Sequence, residues 1–341
     1  MLPDEQDCIL CAFLLKLSFF QLRLLFSTLL DAIDHVLYPA DINNFYLKLR
    51  GIIVNKLLKS VLLITLLASS LNITAQSEFK DVIYASPDGM ELGLDIYMPE
   101  NSNNPALIVQ VHGGAWRFGN KEGGVPLQFV EHGYAVASLD FRQSTDAPFP
   151  AMIHDIKAAI RFLRANAGDY GYNASNIAIT GASSGAHLAL VVGVSNGHSD
   201  LEGNLGNHLD TSSNVQAILS YFAATDLTTI LSQSTPFGLG VREPGLKLLL
   251  GSLPVDNETL AKLASPVYLV DANDPPVLLL HGDRDPQMPI NQSLQMLGAY
   301  KALGLDVSFD PVHGAVHGGP GFFDEEHLGN ALAFLNRTIG Q

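Results

Sequence analysis

Short motifs along the chain contain side chains suited to nucleophilic catalysis. Ser183 lies at the centre of Gly181-Ala182-Ser183-Ser184-Gly185, which fits the pattern G-x-S-x-G. In a tight turn from a strand into a helix, the flanking positions must be nearly free of side chains, and glycines therefore bracket the serine. Ser183 is the predicted nucleophile, with Ser184 as the alternative. The backbone N–H of Ser184 is a predicted donor to a negatively charged oxygen.

A second motif, His112-Gly113-Gly114-Ala115-Trp116, directly follows an apolar run at residues 106–111. Glycines at such a place let backbone N–H groups approach the oxyanion of a tetrahedral intermediate. Gly113 and Gly114 are therefore the predicted oxyanion donors. His112 precedes these donors and is predicted to fix the loop, whereas Trp116 either walls the pocket or packs in the interior.

Two late motifs supply a candidate acid and a candidate base. Asp283 and Asp285 lie in His281-Gly282-Asp283-Arg284-Asp285, and His313 and His317 lie in a glycine-rich segment further along. The chain order Ser, Asp, His, with each late residue after an apolar run, indicates a catalytic triad. Asp285 is the predicted acid and His317 the predicted base. Asp283 and His313 remain as alternatives.

Other polar residues in these motifs have a structural interpretation. His281 is predicted to be a structural residue at a strand end, and His187 to be packed or hydrogen-bonded one helical turn beyond Ser183. Structural ion pairing is predicted among Asp140, Arg142 and Asp155.

The motifs predict neither a metal nor a cofactor. Two histidines four positions apart, such as His313 and His317, bind zinc together only on a helix, and the glycines around them disfavour one. The sequence contains neither G-x-x-x-x-G-K nor a G-x-G-x-x-G after its first strand, so no nucleotide cofactor is expected.

These motifs require a fold that brings residues distant in the sequence to one edge of a sheet. Apolar runs rich in Val, Ile and Leu alternate with helical patterns over residues 79–341, which predicts an α/β fold. Its sheet is mostly parallel with helices on both faces, and an antiparallel hairpin opens it. The predicted strands are residues 81–85, 91–98, 106–111, 135–139, 176–180, 215–221, 276–280 and 307–311; the predicted helices are residues 125–132, 151–165, 186–194, 290–303 and 325–337. Polar, glycine-rich insertions at residues 197–214 and 226–265 are predicted to form a small cap.

Composition limits the classes of partner. Of the 341 residues, 47 % are hydrophobic and 16 % are charged, which excludes disorder for most of the length. The net charge is −15, and the acidic excess lies downstream of residue 75. Because no basic stripe is present, nucleic acid and anionic lipid surfaces are not expected as partners, and an uncharged substrate is favoured. The cysteines, Cys8 and Cys11, precede the region of the motifs, so no cysteine chemistry is expected there.

The first 75 residues are predicted to lie outside the catalytic domain, residues 76–341. Residues 54–75 contain Lys56 and Lys59, an apolar run at residues 61–71, and small residues at the end, where a signal peptide is cleaved. This pattern is typical of a secretory signal peptide. We therefore expect an exported protein without a stable membrane anchor. Val54 is the expected initiator, and residues 1–53 are expected to be a gene-model extension or an apolar leader.

Taken in order, the four motifs resemble those of the α/β-hydrolase superfamily over about residues 79–341. The sequence is most similar to an esterase group that includes bifunctional acetylxylan and feruloyl esterases, beside the hormone-sensitive-lipase-like carboxylesterases. It departs from the pattern at Ala115, where lipase-like members often have a third glycine, and at Ser184, where alanine is usual.

This resemblance implies an α/β-hydrolase fold and a serine carboxylesterase that needs no cofactor. The implied substrates are small-molecule or polysaccharide esters with short acyl groups, including acetyl or feruloyl groups on plant polysaccharides. An amide hydrolase on the same fold is the alternative, followed by a non-catalytic binding protein. A binding protein of this fold usually lacks a triad residue, whereas this sequence offers candidates for all three positions.

Overall fold

The computed structural model describes residues 78–100 and 102–340. The predicted extension at residues 1–53 and the predicted signal peptide at residues 54–75 lie outside these residues. No helix in the described part of the chain is long and apolar enough to cross a membrane.

The described residues form an eight-stranded sheet of order β1-β2-β4-β3-β5-β6-β7-β8. The strands are β1 (Glu78–Ala85), β2 (Leu92–Tyr97), β3 (Ala106–Val111), β4 (Ala135–Leu139), β5 (Asn173–Ala182), β6 (Ala217–Tyr221), β7 (Val277–Gly282) and β8 (Val307–Val312). β2 pairs antiparallel with β1 and β4, and every other neighbouring pair is parallel. The predicted hairpin and the predicted mostly parallel α/β sheet are confirmed.

Helices cover both faces of this sheet. They are α1 (Leu127–Glu131), α2 (Ala151–Ala165), α3 (Ala167–Tyr170), α4 (Ser184–Gly193), α5 (Ser199–Glu202), α6 (Ile230–Gln233), α7 (Pro236–Leu250), α8 (Glu258–Leu263), α9 (Asn291–Ala302) and α10 (Glu325–Thr338). Short 3₁₀ helices occur at Pro87–Gly89, Pro254–Asp256, Pro266–Tyr268 and Pro320–Phe323.

The continuous apolar strands are buried on both faces. In β3, Leu107 and Val109 pack into a core with α2 and α4, whereas Ile108 packs into a second core with α1 and α10. Successive side chains of a strand point to opposite faces, so a strand covered on both sides is apolar at most positions. This arrangement explains why the runs of the central strands lack polar alternation.

The bounds of β3, β4 and α2 are as predicted, but β5 extends beyond the predicted residues 176–180 at both ends. Asn173 pairs with Ala106, and Ala182 pairs with Tyr221 at the carboxyl end. Strand pairing thus continues to the residue just before Ser183. This extension positions the serine directly at the edge of the sheet.

The insertion at residues 226–265 contains α7, a helix of 15 residues that the sequence pattern did not reveal. Glycines and Pro244 lower the helix propensity of this segment. The side chain of Thr235 caps the helix by accepting a hydrogen bond from the N–H of Gly238, and Pro236 lies in the first turn. Leu246 and Leu249 are fully buried, so core packing stabilises a helix that propensity alone disfavours.

Candidate active site

Ser183 lies in a strained turn between β5 and α4. Its backbone angles are φ 56° and ψ −122°, and its N–H donates to the carbonyl of Tyr221 at 2.9 Å. A side chain is excluded on either side of the turn, because a Cβ at Gly181 would lie 2.5 Å from the carbonyl carbon of Gly185. A Cβ at Gly185 would lie 2.2 Å from the carbonyl oxygen of Val111. The two glycines of the motif are thus required by close backbone packing.

Three residues from separate loops meet at this turn. The Nε2 atom of His317 lies 2.9 Å from the Oγ of Ser183. Its Nδ1 lies 2.6 Å from the Oδ2 of Asp285. With Nδ1 protonated and donating to the carboxylate, Nε2 is left as the acceptor for the serine proton. The structure therefore brings together the three residues predicted as nucleophile, base and acid.

Asp285 is held as an anion. Its side chain is 0 % exposed, and its Oδ1 accepts hydrogen bonds from the backbone N–H groups of Gln287 and Met288, both at 2.8 Å. Burial alone would raise the pKa of this carboxyl, but the nearby N–H of His281 and the hydrogen bond from His317 outweigh burial and bring the pKa well below its usual range. Asp285 therefore faces His317 in the ionised form.

The alternative acid and base form a separate pair. His313 Nδ1 lies 3.0 Å from Asp283 Oδ2, and these side chains are 83 % and 36 % exposed. The Asp283 carboxylate also accepts the N–H of Gly314 at 2.7 Å, which closes the turn after β8. No hydrogen bond joins either residue to Ser183 within the described part of the chain.

The loop after β3 lies close to the serine, because a Cβ at Gly113 would lie 3.7 Å from the Cβ of Ser183. No acceptor within residues 78–100 and 102–340 takes the N–H of Gly113, Gly114 or Ser184. His112 Nδ1 lies 2.8 Å from the carbonyl of Gly113, and its ring stacks on Phe141 with centroids 4.3 Å apart. Because burial lowers the pKa of His112, the ring is neutral and donates to that carbonyl. This contact fixes the peptide that carries the Gly114 N–H, the loop-fixing role predicted for His112.

The other polar residues make structural contacts. His187 is fully buried, where its Nδ1 accepts from Trp116 Nε1 at 3.0 Å and its Nε2 donates to the carbonyl of Ala264 at 2.7 Å. Burial lowers the pKa of His187 to about 4, so the neutral ring is retained. Arg142 and Asp155 form the predicted ion pair, with Nη2 and Oδ1 2.6 Å apart. Trp116 is thus a packed residue of the loop after β3.

His281 occupies the structural position predicted for it. It is fully buried at the end of β7, where its Nδ1 lies 2.7 Å from Ser293 Oγ and its Nε2 lies 3.0 Å from the carbonyl of Met288. Since a carbonyl only accepts, Nε2 carries the proton, and it also lies 3.6 Å from Asp285 Oδ2. His281 therefore supports the segment that contains the acid.

Phe222 is a residue of the site that sequence patterns missed. Its φ of 43° lies in the left-handed region, which is costly for an aromatic residue and commonly occurs at functional sites. Its ring packs against His317 with centroids 4.6 Å apart and against Phe322 at 4.8 Å. A phenylalanine after a strand carries no sequence signal for this conformation.

The described residues contain no group of three His, Cys, Asp or Glu side chains suited to a metal ion. The arrangement instead joins a hydroxyl, a general base and an anion in one hydrogen-bonded chain. Such a chain is suited to transferring a proton from the hydroxyl and back to a leaving group.

Comparisons with known proteins agree with this fold. Esterase LipQ of Mycobacterium tuberculosis is 33 % identical over 249 residues, which are 71 % of this chain and 57 % of that protein. The chain thus spans little more than half the length of this curated relative.

Two solved structures are similar over most of the chain. A truncated carbohydrate esterase from gut microbiota is 33 % identical with a TM-score of 0.71, covering 79 % of this chain and 99 % of that one. A bifunctional GH43-CE protein of Bacteroides eggerthii is 35 % identical with a TM-score of 0.69, covering 76 % of this chain and 35 % of that one. The sequence profile of the BD-FAE family matches residues 94–299. The chain belongs to the BD-FAE family and has the fold of the α/β-hydrolase esterases.

Proposed function

We propose that the protein is a serine carboxylesterase that hydrolyses short acyl esters, with acetyl or feruloyl groups on plant polysaccharides as its natural substrates. The observation that carries the proposal is the chain of contacts from Ser183 Oγ to His317 Nε2 at 2.9 Å and from His317 Nδ1 to Asp285 at 2.6 Å. The choice of carbohydrate esters is supported by the similar carbohydrate esterase from gut microbiota.

In the proposed acylation, His317 Nε2 removes the proton of Ser183 while Oγ attacks the ester carbonyl carbon. The oxyanion accepts hydrogen bonds from the N–H groups of Gly113, Gly114 and Ser184. Removal of one such donor in other enzymes costs about 3 to 4 kcal/mol of transition-state stabilisation. The tetrahedral intermediate collapses as Nε2 returns the proton to the leaving alcohol oxygen, which leaves an acyl-serine.

In the proposed deacylation, His317 removes a proton from water, and the hydroxide oxygen attacks the acyl-serine carbonyl. Collapse returns the proton to Oγ and releases the carboxylic acid. Throughout, the Asp285 carboxylate accepts from Nδ1 and stabilises the imidazolium, without itself taking the proton. The proposed steps use only groups of this chain and one water molecule.

The test compares the full chain with its Ser183→Ala variant on p-nitrophenyl acetate and on acetylated xylan. Loss of the hydroxyl should abolish acetate release from both substrates while the variant remains folded. Release from xylan in the wild type supports a carbohydrate esterase, and release from the small ester alone would refute acetyl groups on xylan as the natural substrate. Unchanged activity in the variant would refute Ser183 as the nucleophile.

We also propose that the protein is exported, on the basis of the signal-peptide pattern at residues 54–75. N-terminal sequencing of the secreted protein tests this proposal. A mature start near Gln76 is expected, whereas a start before residue 50 would contradict it.

A further inference from the structure

The segment that contains the candidate acid is attached to a helix of the insertion. This segment, the acid loop, consists of residues 285–288. The carbonyl of Pro286 accepts a hydrogen bond from Thr235 Oγ1 at 2.5 Å, and the carbonyl of Gln287 accepts one from Nη2 of Arg242. Both donors belong to α7 or its N-cap. The acid loop is therefore tied at consecutive carbonyls to an element far away in the sequence.

Arg242 is an unusual donor for this purpose because it is a buried cation. The residue is 1 % exposed, its Nη2 also lies 3.5 Å from Met288 Sδ, and no carboxylate of the described residues lies within ion-pair distance of its guanidinium. Burial lowers the pKa of Arg242 to about 10, and the negative charge of Asp285 opposes that change. The guanidinium and the carboxylate thus compensate each other across the acid loop.

The same helix also contacts the loop after β3, which contains the proposed oxyanion donors Gly113 and Gly114. A Cβ at Gly245 would lie 3.2 Å from the carbonyl oxygen of Ala115 and 3.2 Å from Cε3 of Trp116, so α7 approaches this loop closely. About three helical turns separate Gly245 from Thr235. Helix α7 therefore spans the two loops that carry the acid and the oxyanion donors.

We propose that Arg242, assisted by Thr235, is a positioning residue for Asp285, through which α7 holds the acid loop in register with His317. The inference rests on the proposed serine esterase mechanism. A simple cap would cover the site without bonding to the acid loop. Here the insertion also donates hydrogen bonds to the acid loop and so helps to hold Asp285 in place. The charged and titratable groups that face the Asp285 carboxylate are His317 from the loop after β8, His281 from β7 and Arg242 from α7.

The test measures kcat, KM and the pH profile of Arg242→Met on p-nitrophenyl acetate. The uncharged side chain fills similar space but neither bonds Gln287 nor compensates Asp285. We expect kcat to fall about 10²-fold with KM little changed, because displacing a supporting loop by about 1 Å costs that much. Because Arg242→Met no longer compensates the negative charge of Asp285, the acid-side fall of the pH profile of kcat should move to higher pH.

Two variants on the same helix serve as comparisons. Arg242→Lys retains the charge, so the acid-side fall of its pH profile should stay at the wild-type position. Its kcat should lie between those of the wild type and Arg242→Met. Lys247→Met removes an exposed charge further along the helix and should leave both readouts unchanged. A folded Arg242→Met with the wild-type kcat and the wild-type pH profile would overturn the proposal. The proposal would also be overturned if the acid-side fall of the pH profile moved as far in Arg242→Lys as in Arg242→Met.

If Arg242→Met does not fold, Thr235→Val decides, because at an exposed position it removes both the bond to Pro286 and the side-chain cap of α7, the two contacts through which Thr235 assists. A lower kcat supports the proposal, and a wild-type kcat in the folded variant overturns it. The protonation of His317 can also be followed by NMR of its ring, assigned through His317→Ala, without any ester substrate. A wild type that does not hydrolyse esters would refute the proposed function, whereas an NMR titration unmoved in Arg242→Met or Arg242→Gln would refute the role of Arg242.

Discussion

Replacing Asp285 with asparagine should disable the site by reversing the tautomer of His317. Both backbone donors to this side chain, the N–H groups of Gln287 and Met288, contact Oδ1 at 2.8 Å. An amide nitrogen cannot accept those bonds, so in Asp285→Asn the side-chain oxygen must occupy the Oδ1 site. The amide –NH₂ is thereby forced into the Oδ2 site, 2.6 Å from His317 Nδ1.

In this orientation Nδ1 must accept a hydrogen bond, so the ring proton moves to Nε2. Nε2 then faces Ser183 Oγ at 2.9 Å as a donor and cannot remove the hydroxyl proton. In another serine hydrolase the same exchange lowers kcat about 10⁴-fold with the geometry intact. A loss of that size corresponds to about 5.4 kcal/mol of activation free energy.

The assay is steady-state hydrolysis of p-nitrophenyl acetate by the full chain at neutral pH, with folding verified by circular dichroism. The matched control is Asp283→Asn, which makes the same change two positions earlier in the exposed pair with His313. The control should retain wild-type kcat, and Asp285→Asn should lose about four orders of magnitude. A folded Asp285→Asn with a kcat within tenfold of the wild type would refute the tautomer argument. A large loss of kcat in Asp283→Asn would indicate Asp283, and not Asp285, as the acid.

Three further outcomes are expected. The kcat/KM for p-nitrophenyl acetate should fall on the acid side as His317 takes a proton, and a flat profile from about pH 5 to 8 would contradict a histidine base. Gly185→Ala should lower the free energy of unfolding by more than about 2 kcal/mol, because its Cβ would lie 2.2 Å from the Val111 carbonyl oxygen; an unchanged urea midpoint would contradict this packing. Burial raises the pKa of Asp274 from 3.8 to about 7, so ionisation opposes folding as the pH rises above 3.8. Asp274→Asn should therefore stabilise the protein more at pH 8 than at pH 4, and equal urea midpoint shifts at both values would exclude that cause.

The fold was largely predictable because its signals are local. The apolar runs at residues 106–111 and 135–139 became strands with the same bounds, since burial on both faces favours apolar residues at most positions. Elements that are stabilised by contacts with residues distant in the sequence were harder to predict. Helix α7 contains Pro244 and several glycines, and its buried leucines are explained only by the core beneath them.

For the candidate site, sequence alone identified the motifs that meet at Ser183, since the turn around Ser183 needs glycines at fixed positions and the strand ends locate the other loops. It left Asp283 and His313 as alternatives, because residues two or four positions apart in a loop carry the same local signal. Only the tertiary structure decided which pair meets Ser183: Asp285 and His317 point inward and Asp283 and His313 lie at the surface. It also brought Phe222 and Arg242 to the site through side-chain packing between elements distant in sequence, which no local pattern encodes.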